Sequence, residues 1–129
     1  MTSNLANSMP FSKMMGVTVT SATPDKITGT LKVREDLCTT GGILHGGAIM
    51  AFADALGAIG AFLTLPDGSN GTTTIESKTN FLGPAPIDSV IEAVTKPVKT
   101  GSRLSIWQTD IRQASGKQIA LVTQTQLVL

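Results

Sequence analysis

Tyrosine is absent from this chain of 129 residues, tryptophan occurs once and phenylalanine four times. Charged residues make up only 15% and the net charge is +1, with ten Lys and Arg residues spread along the chain rather than gathered in a block. Nucleic-acid surfaces need clustered positive charge for phosphates and, for single strands, aromatic platforms for bases. Neither is present, so no nucleic-acid partner is expected. Cys38 is the one cysteine and His45 the one histidine. That pair excludes an intrachain disulfide and any Cys/His zinc cage, so no metal and no cofactor are expected. Residues Met1 to Pro10 offer neither a charged leader nor an apolar run. A secretory signal is therefore not expected, and the expected compartment is cytoplasmic.

What is present is aliphatic. Hydrophobic residues are 41% of the chain, too many for a disordered segment, and the length suits one domain spanning residues 1–129. The run from Leu44 to Leu65 is about long enough to cross a bilayer. Asp54 at its centre and the lack of flanking Lys or Arg argue against that. A soluble, buried helix is expected, with no membrane partner. Its small residues (Ala48, Ala51, Ala55, Gly57, Ala58, Gly60, Ala61) permit close approach, while Ile49, Phe52, Leu56, Ile59, Phe62 and Leu63 fill the other faces. A helix apolar nearly all round belongs in a core.

Before this helix, Val17, Val19 and Ser21 begin an extended run, Thr23-Pro24-Asp25 turns, and Lys26 to Val33 alternates with Ile27, Gly29, Leu31 and Val33 on one face. Residues 4–14 suggest one short helix, and Cys38 to Gly47 a glycine-rich loop. After the helix, strands are expected at Thr72–Leu82, Ser89–Val98, Arg103–Arg112 and Lys117–Val128, separated by turn-forming residues. Two strands, one long apolar helix and four strands give an α+β fold. A curved antiparallel sheet of about six strands wraps the central helix.

Between Leu37 and Pro66 the only acid or base besides His45 is Asp54. A carboxylate in an apolar helix must be paired, hydrogen-bonded or protonated; facing solvent or holding a backbone group would suffice. His45-Gly46-Gly47 stands at the helix start, where free amides and the positive end of the dipole favour negative charge. The bland alternative is a capping histidine beside turn-forming glycines. Nine residues separate His45 from Asp54, and at about 100° each they would face opposite ways on one helix, roughly 13.5 Å apart along it. A site using both therefore draws them from two chains, which implies a dimer at least.

Gly42-Ile43-Leu44-His45-Gly46-Gly47, followed by Asp54 across apolar residues, resembles the signature of the hot-dog-fold acyl-CoA thioesterases. The branch it resembles is the phenylacetate-pathway (PaaI-like) and 4-hydroxybenzoyl-CoA type. Phe81-Leu82-Gly83-Pro84-Ala85 resembles that family's aromatic-x-x-Pro-Ala turn. The resemblance covers nearly the whole chain. It implies hydrolysis of an acyl-CoA by a homodimer or a dimer of dimers. It implies that Asp54 is the nucleophile or the base acting on water, and that the Gly46 amide polarises the thioester carbonyl. It gives His45 the role of orienting the loop and Thr74 that of helping to hold the water. Thr39, Gly47, Phe81 and Arg103 are the expected substrate contacts. Arg103 ends the basic connection Lys99-Thr100-Gly101-Ser102-Arg103, which suits CoA phosphates or simply a solvated turn. Thr39 departs from the family, which has Asn or Gln six residues before the histidine; its hydroxyl reaches less far and offers one donor. Met9, Met14, Met15 and Met50 read as core filler in preference to an adaptable acyl pocket. The rival reading is a non-catalytic acyl-CoA-binding hot-dog domain. A hydratase is disfavoured because the Asp/His pattern it requires is not apparent.

Overall fold

The computed structural model describes residues 3–129. Two short helices, α1 (Ser3–Asn7) and α2 (Pro10–Met15), open the chain. They replace the single helix expected there because Pro10 starts a new helix at its N-terminal position, where its missing N–H costs nothing. Strands β1 (Thr18–Thr23) and β2 (Lys26–Lys32) follow. β2 buries Ile27, Gly29 and Leu31 in the expected alternation. The segment expected as a loop is more ordered than its glycines suggested. After a 3-10 turn at Glu35–Leu37, β3 (Cys38–Thr39) and β4 (Ile43–Leu44) pair in a two-residue ladder. Gly41 and Gly42, both at positive φ, close it.

The long helix α3 runs Gly46–Leu63, followed by β5 (Thr72–Phe81), β6 (Val90–Thr100), β7 (Leu104–Gln113) and β8 (Gln118–Val128). The six long strands form one antiparallel sheet in the order β1-β2-β6-β7-β8-β5. A flat sheet of this width would span about 24 Å, whereas a helix is about 10–12 Å across. Yet α3 contacts all six strands, so the sheet curls round it.

Phe52 and Leu56 of α3 are fully buried against Ile27, Ile91, Ile111 and Ile119 from the sheet. The helix is long and apolar enough to cross a bilayer, but its packing against every strand makes it the core of the sheet. Two glycines set how closely it lies. A Cβ on Gly57 would overlap the Gln124 amide, and one on Gly60 would meet Trp107 at 2.6 Å. Both large side chains of the sheet are thereby laid directly across the helix backbone.

Candidate active site

Asp54 sits half-buried on the α3 face that meets β5 and β8. Its Oδ1 accepts from Thr74 Oγ1 at 2.6 Å and from Gln124 Nε2 at 3.1 Å. Thr74 in turn accepts from Gln126 Nε2 at 2.6 Å, and Gln126 Oε1 accepts from Thr72 Oγ1 at 3.1 Å. The donors thus form a line, Thr72 to Gln126 to Thr74, that ends on the carboxylate; each bond polarises the next. Among the described residues, no protein group donates to Oδ2. Asp54, Thr74, Ser77, Met50 and Ala51 line a cavity of about 250 Å³.

Thr74 reaches Asp54 because β5 is irregular. A register shift between Thr74 and Glu76 breaks the alternation, so that Thr74 and Ser77 both lie along this cavity. Thr74 was expected to hold a water. Its single proton is directed at Asp54, and after the bond from Gln126 one lone pair is left for a water.

The start of α3 is built differently. His45 is the N-cap residue, with extended backbone, and its Nδ1 accepts from the Gly47 N–H at 2.9 Å. With Nδ1 as the acceptor, Nε2 is the ring nitrogen left to face the cavity that His45 lines. The Gly47 amide is therefore occupied, and a Cβ there would press on the imidazole at 3.2 Å. Gly46 is the first residue of the helix, where amides have no intrahelical partner. Among the described residues its N–H has no acceptor, so Gly46 rather than Gly47 has the free donor.

The residues picked out in the sequence fall in separate places. Gly46, Thr39 and Phe81 line one cavity of about 310 Å³, together with Pro84 and Ala85 of the aromatic-x-x-Pro-Ala turn. His45 and Gly47 line another, with Phe11, Met14 and Cys38. Asp36 also lines it, its carboxyl held below the usual carboxylate range by its hydrogen bond to the Arg34 guanidinium. Asp54 and Thr74 line the third. Arg103 is exposed on the β6–β7 connection and lines none of these. Of the methionines, Met15 fills the core as expected, but Met50 borders the Asp54 cavity and Met14 is 54% exposed. Gln124 and Gln126 are the residues the sequence reading missed. They share the parity of the buried Ala120 and Val122 along β8, which was the available signal.

Residues 41–120 match the family model of the thioesterase superfamily. The chain belongs to the thioesterase superfamily. This thioesterase is 29% identical to human acyl-coenzyme A thioesterase 13 over 112 residues, covering 85% of this chain and 79% of that one. It is 30% identical to the 1,4-dihydroxy-2-naphthoyl-CoA hydrolase of Escherichia coli over 76 residues, covering 59% of this chain and 54% of that protein. A solved thioesterase structure from Haemophilus influenzae superposes with a TM-score of 0.90 at 25% identity, covering 100% of this chain and 90% of that one. The curled sheet round one helix is the hot-dog fold, as the resemblance implied, and the chain is a thioester hydrolase. Family membership favours hydrolysis over the non-catalytic rival.

Proposed function

We propose that this thioesterase, as a single domain over residues 1–129, hydrolyses acyl-CoA to the free acid and CoA at a site shared by two copies of the chain. Asp54 comes from one copy and the Gly46 N–H from the other. The observation that carries this is the division of the reaction's parts. The free amide and the carboxylate lie on one helix about 12 Å apart along its axis, in different cavities. Neither cavity alone has both an attacking group and a carbonyl donor.

The edge strand β5 supports a second copy. It leaves Ile75, Phe81 and neighbouring Leu82 more than half exposed, and the unpaired backbone groups of an edge strand are a template for another strand. In the shared site the Gly46 N–H donates to the thioester oxygen as it gains charge, at a helix start that favours that charge. The Asp54 carboxylate attacks the carbonyl carbon directly or through a water whose proton it takes. On the water route the C–S bond then breaks and the CoA thiolate takes up the proton held by Asp54; on the direct route it breaks to leave an Asp54–acyl anhydride, which a water hydrolyses to the free acid while the thiolate takes up the proton that water releases. Thr39 and Phe81 border the carbonyl. Arg103 has no part in this proposal.

The test is free-thiol release over a panel of acyl-CoAs. Asp54→Asn, nearly isosteric, is expected to fold and to lose at least ~10²-fold in kcat. Turnover near that of the parent in a homogeneous Asp54→Asn preparation rejects the assignment.

A further inference from the structure

We infer that the acyl group runs from Asp54 toward the C-terminal end of α3, into a cavity walled by the N-terminal helices, and that this enzyme prefers plain hydrocarbon acyl groups to hydroxylated aromatic ones. The inference rests on Asp54 acting as proposed above. The cavity is about 350 Å³, within the range of small-molecule sites, and is lined by Leu5, Met9, Ala58, Ile59 and Phe62.

It adjoins the Asp54 cavity along α3 and β5. Asp54, Ala58 and Phe62 are spaced by four, on one face of α3, each step about 6 Å along the axis. Across from them, Thr72 of this cavity and Thr74 of the Asp54 cavity are alternate residues of β5, joined through Gln126. Phe62, 63% exposed, leaves a large ring uncovered at this end of the core helix.

The wall offers a ring hydroxyl little. The one proton of Ser8 Oγ goes to the Leu5 carbonyl at 2.7 Å, and the one proton of Thr72 Oγ1 is shared between Gln126 Oε1 and the Leu127 carbonyl. The lone pairs of those two oxygens are the side-chain acceptors left in the lining, whose other side chains are carbon and sulfur, and burying a ring hydroxyl away from partners is costly. Leu5, Ser8 and Met9 also lie outside residues 41–120, the stretch shared with the superfamily model.

The experiment measures kcat/KM for acetyl-, hexanoyl-, octanoyl-, decanoyl- and 1,4-dihydroxy-2-naphthoyl-CoA, with size-exclusion chromatography of each variant. Each methylene taken up by such a wall adds about fourfold, so octanoyl is expected to exceed acetyl by at least tenfold and to exceed the naphthoyl substrate. Ala58→Leu, which fills the cavity, is expected to cut the octanoyl-to-acetyl ratio at least tenfold. Met9→Ala, at a half-buried position that tolerates truncation, is expected to move the optimum toward decanoyl. A preference for the naphthoyl substrate, or a chain-length profile that neither variant moves, overturns the acyl pocket alone. A change of oligomeric state in Ala58→Leu assigns the cavity to a second copy and likewise overturns it. Failure of the parent to hydrolyse any of the five rejects the proposed function itself.

Discussion

The Thr74 hydroxyl donates to Asp54 Oδ1 over 2.6 Å, tying the edge strand of the sheet to the middle of its core helix. The bond leaves Oδ2 as the carboxylate oxygen without a protein donor among the described residues. Thr74→Ser keeps the hydroxyl and is expected to keep kcat within a few-fold. Thr74→Val keeps the shape but loses the donor, and kcat is expected to fall at least tenfold with KM little changed. Steady-state kinetics on one good acyl-CoA decide this, and equal kcat in the two variants removes Thr74 from the site.

Gln124 sits at a position where stability and activity pull apart. It is fully buried, its Nε2 is spent on Asp54, and its Oε1 has no partner. An orphaned buried carbonyl costs about 1–3 kcal/mol. Gln124→Met removes that cost at similar volume. The expected variant melts at or above the parent temperature and has a kcat at least tenfold lower. Unchanged kcat in a well-folded Gln124→Met shows that the amide holds nothing that matters to turnover.

A site divided between two chains is expected to be rebuilt from two defective ones. Asp54→Asn lacks the carboxylate. Gly46→Pro lacks the amide at the first helical position, where proline is tolerated; the Phe81 ring, 3.1 Å from a Cβ placed there, has only to shift slightly. Each variant alone is expected to be inactive, and mixed, subunit-exchanged preparations are expected to regain activity. Heterodimers demonstrated by mass spectrometry but without activity would falsify the shared site.

The histidine cap makes a separate prediction about stability. His45 Nδ1 satisfies the Gly47 N–H, and losing a capping acceptor costs about 0.5–2 kcal/mol. His45→Ala is expected to lower Tm by a few degrees, and His45→Asn, which still has a side-chain acceptor, to recover most of it. Thermal melts of the three proteins measure this. Identical melts show that the cap contributes nothing.

Much of this was legible in residue order because it depends on local periodicity. The alternation of Ile27, Gly29 and Leu31 marked a half-buried strand, and the uniformly apolar helix required a sheet to cover it. The four strands after the helix end within two residues of where their turns predicted. Thr123-Gln124-Thr125-Gln126, by contrast, reads as a polar strand end. Only its parity with Ala120 and Val122 reveals two amides directed at a helix. The register shift in β5 has no mark at all in Thr73-Thr74-Ile75-Glu76, yet it places both Thr74 and Ser77 along the Asp54 cavity. The division of His45, Gly46 and Asp54 among three cavities is likewise a property of how the sheet curls, which spacing along one helix foreshadows only in part.

The contact between Asp54 and Gln124 spans 70 positions of sequence. A ribosome adding about 5–20 residues per second takes roughly 4–14 s to travel that far. For that interval the nascent chain carries a finished, almost wholly apolar helix with a carboxylate at its middle and no β8 to cover it. The last sheet contact on Asp54 and the shield over Gly57 are one residue, Gln124, and arrive together with β8. Until then the helix is a hydrophobic segment in want of a companion, and that interval is when the nascent chain is most open to aggregation.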